Sequence, residues 1–257
     1  MNQTRSMLKL LNKLRLSKGY MGMRIYINND LKEYMKNDWI LKEIEKNETE
    51  EERKVRTNQW LKEIEAKRMI YADVYGDFLQ EKNNSLRVLD VGGGYNSLTK
   101  VMAQNINYTL CDFLAHGGHN AIASNVNWIN DDWNHYYDQI IQGNKKYDVI
   151  VANDIFPDVD QRMEMFIEKS LKIAKEIRLV VTFYNEPKFY LTKRVDDSEI
   201  MTFLSWDGEI TALKLGKFLN SEDFTVERRN EMIKTKESVF RNGRQVAYIV
   251  IKGENNA

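Results

Sequence analysis

The chain has 257 residues, with 38 basic and 38 acidic side chains that give a formal net charge of zero. At about 100–200 residues per domain, this length corresponds to one large domain or one domain with an addition, and 11% aromatic residues exclude an intrinsically disordered protein. The single cysteine excludes an intramolecular disulfide, the neutral balance argues against nucleic-acid binding by bulk charge, and no apolar run approaches the ~18 residues of a membrane-spanning helix. We therefore expect a cytoplasmic protein.

The first third of the chain predicts a set of helices that caps the remaining two thirds. Leu8, Leu11 and Leu14 share one helical face, and the basic residues between them interrupt any signal-peptide core. Two similar segments, 39–45 and 60–65, predict a pair of amphipathic helices, since two copies are too few for a solenoid. The polar stretch at 80–85 marks a boundary, so we assign 1–83 to an N-terminal helical cap or lid and 84–257 to the main domain.

After this boundary, strand signals alternate with helical segments. Alternation with crossovers of about 10–20 residues predicts an α/β protein with a parallel sheet and helices on both faces. Helices are predicted over 161–175 and 200–219. The end of the chain predicts an antiparallel hairpin, with one strand near 224–229, a turn at Asn242-Gly243 and a last strand at 245–251. The earlier predicted strands cover 86–91, 107–112, 125–129, 147–152 and 177–183.

The first of these strands runs directly into Gly92-Gly93-Gly94, and a helix is expected to follow from Ser97. Glycines let the backbone approach a ligand, and a helix N-terminus presents free N–H groups. No Gly-Lys-Ser/Thr follows, which excludes a Walker phosphate loop, and Ser97 stands where a dinucleotide motif has its third glycine. Asp90 would place negative charge beside a pyrophosphate, so the pattern favours a cationic ligand.

The segment Asp90-Val-Gly92-Gly93-Gly94 resembles the D/E-x-G-x-G motif of class I S-adenosylmethionine-dependent methyltransferases, and further segments follow in that family's order. Asp112 closes the second strand 22 residues after Asp90. The resemblance implies that its carboxylate accepts hydrogen bonds from the cofactor's ribose hydroxyls. After the third strand, either Asp131 or Asp132 is implied to take the adenine amino group. The segment from Asn153 to Pro157 matches the family's fourth motif, beside the sulfonium and the methyl acceptor.

This resemblance covers residues 85–253 and implies a Rossmann-like, seven-stranded, mostly parallel sheet with a C-terminal antiparallel hairpin. It also implies S-adenosylmethionine as cofactor and S-adenosylhomocysteine as product. Asn96 departs from the third glycine that many members have. No Asn-Pro-Pro-Tyr follows the fourth strand, which argues against methylation of DNA adenine. The residues implied to bind the cofactor are Asp90, Gly92, Gly93, Gly94, Asn96, Asp112, Phe113, Asp131, Asp132, Trp133 and Asn153.

The implied reaction is an in-line displacement in which an acceptor oxygen or nitrogen attacks the methyl carbon. A hydroxyl acceptor needs a general base near the reacting atoms. Asp154 is the first candidate because it follows the fourth strand, and His116, His119 and His135 are alternatives. A structural role for Asp154, as a helix cap or loop support, is the competing interpretation. The spacing of His116 and His119 suits a metal pair, but glycines separate them and no third ligand is evident, so we expect no metal.

The methyl acceptor is expected to be a small polar molecule, such as a sugar, a nucleotide-linked precursor or a phosphorylated metabolite. The composition, rich in Lys, Asn and Ile, suits an AT-rich bacterial genome. Arg162, Lys188, Lys193 and Arg194 are candidate partners for a phosphate or carboxylate. Two alternatives stay open: an RNA or protein methyltransferase that docks through the basic N-terminal helix, and a non-catalytic cofactor-binding protein of the same fold. A homodimer also stays open.

Overall fold

The computed structural model describes residues 22–114, 117–193, 200–220, 222 and 224–253. The leucine-faced helix predicted at residues 8–14 lies outside these described residues, as do His116 and Arg194. The strands are β1 (Met23–Ile25), β2 (Asn83–Val91), β3 (Ile106–Cys111), β4 (Asn127–Ile129), β5 (Tyr147–Phe156), β6 (Ala174–Phe183), β7 (Lys188–Lys193), β8 (Ile200–Ser205) and β9 (Gln245–Lys252). The helices are α1 (Asn28–Met35), α2 (Trp39–Asn47), α3 (Glu50–Arg53), α4 (Arg56–Glu63), α5 (Glu65–Gln80), α6 (Ser97–Asn105), α7 (Trp133–Gln142), α8 (Met163–Ile173), α9 (Gly208–Leu215) and α10 (Val226–Lys234).

Seven strands form one sheet in the order β1-β9-β6-β5-β2-β3-β4. The central strand β2 pairs in parallel with both β3 and β5, β5 pairs in parallel with β6, and β3 with β4. Only β9 runs against its neighbours, β6 and β1. This arrangement confirms the predicted Rossmann-like fold class. It also brings the carboxyl ends of β2, β3 and β5 to one edge, where the strand order reverses and open α/β sheets bind ligands.

Apolar layers cover both faces of the sheet. Each strand contributes to both layers, because its successive side chains point to opposite sides. Along β2, Val88 packs into one apolar cluster and Leu89 into the other, and both are fully buried. Helices α7, α8, α9 and α10 contribute to the Leu89 side, whereas α1, α2, α4, α5 and α6 contribute to the Val88 side. The N-terminal helices are therefore part of one of the two layers. The division at residue 84 stays a prediction.

The predicted C-terminal hairpin is wrong in one of its strands. Residues predicted as a strand near 224–229 belong instead to helix α10, which begins where the Thr225 hydroxyl accepts a hydrogen bond from the N–H of Arg228. Most of this helix is charged and solvent-facing, and it buries Met232 alone. The partner of β9 on its outer side is β1, from the opposite end of the described chain.

The helix predicted over 200–219 is also wrong in its first part. Residues 200–205 form β8, which pairs with β7 as a separate two-stranded antiparallel sheet. The helix α9 begins only after Asp207, whose side chain accepts a hydrogen bond from the N–H of Ile210 at 2.8 Å. Apolar periodicity alone predicts one continuous helix over 200–219. The pairing of β8 with β7 and the N-cap at Asp207 divide this segment into a strand and a helix.

Candidate functional site

A cavity of about 1150 Å³ opens at the carboxyl edge of β2, β3 and β5. Helices α4 and α5 form another part of its wall, together with the segment that precedes β9. Most of the residues predicted from the sequence to bind the cofactor meet here. Those on the cavity wall are Gly92, Gly93, Gly94, Asn96, Asp112, Phe113, Asp131, Asp132, Trp133 and Asn153.

The glycine loop (residues 92–94) has a conformation that side chains would prevent. Gly92 and Gly94 have φ angles of +67° and +66°, in the left-handed region that favours glycine. A Cβ atom on Gly93 would lie 2.3 Å from Oδ2 of Asp90. A side chain at position 93 would therefore clash with Asp90 beneath the loop.

Asp90 lies beneath the glycine loop and does not line the cavity. The hydroxyls of Tyr75 and Tyr108 donate to its two oxygens at 3.1 and 2.5 Å. Burial raises the pKa of Asp90 to about 7, an effect that the charge of Asp112 reinforces and the two tyrosine hydrogen bonds oppose. Asp90 therefore supports the loop from below, and its predicted contact with a cofactor stays a prediction.

Asp112 is fixed at the end of β3, beside the loop. Its Oδ2 accepts a hydrogen bond from the N–H of Gly94 at 3.0 Å, and its Oδ1 accepts one from the N–H of Leu114 at 2.5 Å. A carboxylate oxygen has two acceptor sites. The next residue, Phe113, presents a largely exposed ring on the cavity wall. The arrangement offers acceptors for ligand hydroxyls next to a flat apolar surface.

The two acids after β4 have different surroundings. Asp132 caps α7 by accepting from the N–H of Asn134 at 2.9 Å, and it pairs with Arg162 at 2.7 Å. The hydrogen bond from Arg162 holds the pKa of Asp132 below its usual range. Asp131 accepts from the N–H of Asp132 at 2.8 Å and contacts Nδ1 of His135 at 2.7 Å. Asp132 is thus committed to an ion pair, while the partner of Asp131 is an exposed histidine.

Trp133 is held rigidly beside these acids. Its indole N–H donates to Asp160 at 2.8 Å, and the guanidinium of Arg162 lies 4.7 Å from the centre of a Trp133 ring. Arg162 also pairs with Asp160 at 2.6 Å. The sequence indicates Arg162 as a candidate partner for a phosphate or carboxylate group. In the structure its side chain is already paired with two carboxylates, those of Asp132 and Asp160. Lys188, another candidate, does not line the cavity.

Helix α4 clamps the start of α6, a contact that the sequence did not predict. The buried Asn58 accepts hydrogen bonds from the N–H of Ser97 at 3.1 Å and from its hydroxyl at 2.8 Å. The hydroxyl of Thr57 donates to the carbonyl of Tyr95. Asn96 caps α6 by accepting from the N–H of Leu98 at 2.9 Å. The N-terminal helices thereby fix the backbone that immediately follows the glycine loop.

Asp154 stands at the end of β5 with a φ of +66°, which is uncommon for a residue other than glycine. Nη1 of Arg244 lies 3.0 and 3.1 Å from its two oxygens, Nζ of Lys67 lies at 3.2 Å, and the Thr182 hydroxyl donates at 2.8 Å. Burial alone would raise the pKa of Asp154, but the two cations and this hydroxyl lower it to about 2. A carboxylate this acidic accepts protons poorly near pH 7. The geometry gives Asp154 a charge-pairing role, and its predicted role as general base stays a prediction.

The described histidines lie away from the cavity wall. His119 is exposed and packs edge-on against Trp128, with ring centres 5.4 Å apart. His135 is exposed and contacts Asp131. Within the ranges that the structure describes, no three His, Cys, Asp or Glu side chains are grouped so as to hold a metal ion. No helix in those ranges is both long and apolar enough to cross a membrane.

No family model matches this chain, and no curated protein matches it. Among solved structures, the chain is similar to coclaurine N-methyltransferase bound to N-methylheliamine and SAH, at 14% identity, with 98% of this chain and 94% of that one covered and a TM-score of 0.41. It is also similar to a SAM-dependent methyltransferase from Agrobacterium tumefaciens, at 9% identity, with 74% and 63% covered and a TM-score of 0.42. A third similar structure is SMU.776 complexed with SAH, at 15% identity, with 52% of this chain covered and a TM-score of 0.31. The match spans 48% of the length of SMU.776. Likeness at this level carries no conclusion about reaction or substrate.

Proposed function

We propose that this chain is an S-adenosylmethionine-dependent methyltransferase that acts on a small molecule. The observation that carries the proposal is one cavity that joins the glycine loop, the fixed carboxylate of Asp112 and an apolar region formed by α4, α5 and the segment before β9. Its volume of about 1150 Å³ lies just above the range of about 300–1,000 Å³ that is usual for small-molecule sites. The space suits a cofactor together with a second small molecule.

The charges and shape of the wall fit this cofactor. Among the described residues, seven carboxylates and four cationic side chains line the cavity, so its wall favours a ligand with net positive charge. The glycine loop offers backbone at close approach, and Asp112 offers acceptors for ribose hydroxyls. We assign the adenine group to Asp131 and Trp133, which both line the cavity, because Asp132 is paired with Arg162. When bound, S-adenosylmethionine would supply a methyl group already activated on a sulfonium.

The protein's own contribution would be alignment and exclusion of water. Trp60, Ile64 and Ile70, from α4, α5 and the bend between them, give the wall an apolar surface next to the polar strand ends. Holding two reactants in one such site converts a bimolecular step into an effectively unimolecular one. We propose a hydroxyl oxygen as the acceptor atom, since the carboxylates on the wall can accept a hydrogen bond from a hydroxyl group.

Calorimetric titration with S-adenosylhomocysteine tests the cofactor assignment. We expect saturable binding, and we expect Asp112→Ala to weaken it by at least about tenfold because the ribose hydroxyls lose a charged acceptor. Asp138→Ala is the matched control, since Asp138 is exposed on α7, pairs with Lys169 and lies off the cavity wall. Absence of binding, or equal affinity in wild type and Asp112→Ala, would contradict the assignment.

A transfer assay tests the substrate class. The protein is incubated with methyl-labelled cofactor and a bacterial extract, which is then separated into small metabolites, RNA and protein. We expect label in the small-metabolite fraction. Label confined to RNA or protein would instead favour the macromolecular alternative, and cofactor binding without transfer to any fraction would favour a non-catalytic protein.

A further inference from the structure

One corner of the cavity contains two cations and one carboxylate. This cationic corner consists of Lys67 on α5, Asp154 at the end of β5 and Arg244 just before β9, and all three line the cavity. The side chains of Lys67 and Arg244 keep 26% and 16% of their surface exposed, so both are partly sheltered and still reachable from the cavity. The other charged residues on the neighbouring wall are Glu63, Glu65 and Arg241, and all three are solvent-exposed.

The cations of this corner have more donors than the protein uses. The ammonium of Lys67 has three donors, and its hydrogen bond to a described residue is the one to Asp154. The guanidinium of Arg244 has five donors, and both of its bonds to Asp154 start from Nη1. Nε of Arg244 is buried and has no hydrogen-bond partner among the described residues. The ammonium and guanidinium donors that these bonds leave over, rather than the enclosed Nε, make the corner suited to an additional acceptor.

The surface around this corner is apolar and aromatic. The guanidinium of Arg244 lies 4.1 Å from the ring centre of Phe240, and Nζ of Lys67 lies 5.5 Å from that of Trp60. Ile64 also lines this part of the wall. Charge interactions are stronger where apolar groups exclude water. The two cations and one carboxylate of the corner carry a net charge of +1, and a flat apolar surface lies beside each cation. The carboxyl group of Asp158 lies near enough to interact with both Arg244 and Asp154.

We propose that this corner binds an oxyanion, a carboxylate or phosphate group, on an acceptor with an aromatic or other apolar body. This inference rests on the proposed methyltransferase function, since it specifies the class of acceptor for the same cavity. Lys67 and Arg244 would share the oxyanion by charge-assisted hydrogen bonds. Asp154 would hold both cations in place and compete with the ligand for them.

Binding of small aromatic probes to the protein saturated with S-adenosylhomocysteine tests this proposal. The probes are phenyl phosphate and benzoate, with benzamide as the neutral match, followed by ligand-observed NMR titration. We expect saturable binding of phenyl phosphate, of benzoate or of both, with benzamide weaker by at least about tenfold. The stronger of the two anions identifies the group. Equal affinity for benzoate, phenyl phosphate and benzamide, or no saturable binding of either anion, would overturn the proposal.

Variants at all three residues make the test specific to the corner. Arg244→Gln and Lys67→Met are expected to weaken anion binding by about tenfold or more, since each removes a charged donor. Asp154→Asn is expected to tighten it, because the competing carboxylate is lost while asparagine tolerates the left-handed backbone. A purely structural ion-pair cluster would not give opposite signs. Circular dichroism verifies that each variant is folded, and Arg244→Lys, which keeps the charge, provides a milder second change at that position.

The oxyanion at this corner has two possible sources, the acceptor and the carboxylate of the cofactor. Titration of the same variants with S-adenosylhomocysteine alone distinguishes them. We expect its affinity to stay within about threefold of wild type. If Arg244→Gln and Lys67→Met lower that affinity as much as they lower anion binding, the corner serves the carboxylate of the cofactor and the acceptor proposal is wrong. If wild type fails to bind S-adenosylhomocysteine but still binds phenyl phosphate through Arg244, the proposed function fails while the anion site stands.

Discussion

Asp90 differs from the other acids of this edge because both of its oxygens face tyrosine hydroxyls inside the protein. Its environment favours the protonated form, whereas the environment of Asp154, with two cations, favours the ionised form. The pKa values of the two carboxyl groups are therefore shifted in opposite directions, although both groups lie at the ends of strands of the same sheet. Position at a strand end alone does not determine what a carboxylate contributes; its partners do.

The raised pKa of Asp90 predicts a pH-dependent stability. In the unfolded chain this carboxyl ionises near pH 3.8, and in the folded protein near pH 7. Between these values the folded state binds a proton that the unfolded state releases, so the free energy of unfolding falls as pH rises through this window. Asp90→Asn removes the effect. We expect its thermal midpoint to exceed that of wild type at about pH 8 by several degrees and to match it near pH 4.

Thermal unfolding followed by circular dichroism at both pH values measures this difference. Asp138→Asn is the control, because that side chain is exposed and paired on the protein surface. It should follow wild type at both pH values. An Asp90→Asn variant with the same offset from wild type at both pH values would show that burial does not raise the pKa of Asp90.

The close approach of Gly93 to Asp90 predicts that substitutions at these two positions have coupled effects on stability. An added Cβ would lie 2.3–2.6 Å from the carboxyl atoms of Asp90, which two tyrosines hold in place. Gly93→Ala is expected to destabilise the protein by about 1–3 kcal/mol, the usual cost of overpacking, and to weaken binding of S-adenosylhomocysteine. The double variant Asp90→Ala with Gly93→Ala relieves the clash, so urea denaturation should show a total cost below the sum of the single costs. Strict additivity would mean that the loop relaxes elsewhere.

At the scale of elements, the N-terminal helices act on the site through Asn58. Removing its side chain leaves the N–H of Ser97, at the start of α6, without its buried acceptor. We expect Asn58→Ala to lower the free energy of unfolding by about 1–3 kcal/mol and also to weaken S-adenosylhomocysteine binding, because α6 follows the glycine loop directly. Gln59→Ala is the neighbouring control, since among the described residues its side chain bonds to Arg56 of α4 and to the carbonyl of Arg53 in α3, and not to α6. Equal effects of Asn58→Ala and Gln59→Ala on the affinity for S-adenosylhomocysteine would contradict the role of Asn58 in fixing the start of α6.

The sequence predicts those elements whose signal is local. The strand ending at Val91, the glycines after it and the acids at the ends of β3 and β4 could all be identified, because alternation and turn chemistry act within a few residues. Helix α10 could not, since Val226 and Phe224 resemble a strand until the Thr225 cap and the exposed charged face are seen. The cationic corner could not either, because Lys67 and Arg244 lie far apart in the chain and meet only through the fold.

At the scale of the whole molecule, the two ends of the described chain meet. The C-terminal strand β9 lies between β6 and β1, so the sheet edge is formed by three residues from the opposite end. Met23 and Ile25 are buried in the core, and Arg24 pairs with Asp73 on α5 at 2.5 Å and with Asp30 on α1 at 2.7 Å. A short strand is thereby anchored to the sheet by pairing and to the helical layer by charge. This non-local pairing has no signature in the pattern of either segment.

Removal of β1 is therefore expected to affect the whole protein. A chain that lacks residues 1–26 loses the buried side chains of Met23 and Ile25 and exposes the hydrogen-bonding edge of β9. Free strand edges promote association, so we expect a lower urea midpoint and concentration-dependent oligomers by size-exclusion chromatography. Removal of residues 1–20 alone is the control, since it deletes none of the described contacts of β1. If both truncations unfold at the same urea concentration as the full-length chain, β1 contributes nothing to the sheet. If only the longer truncation is weakened, β1 completes the fold that holds the cavity.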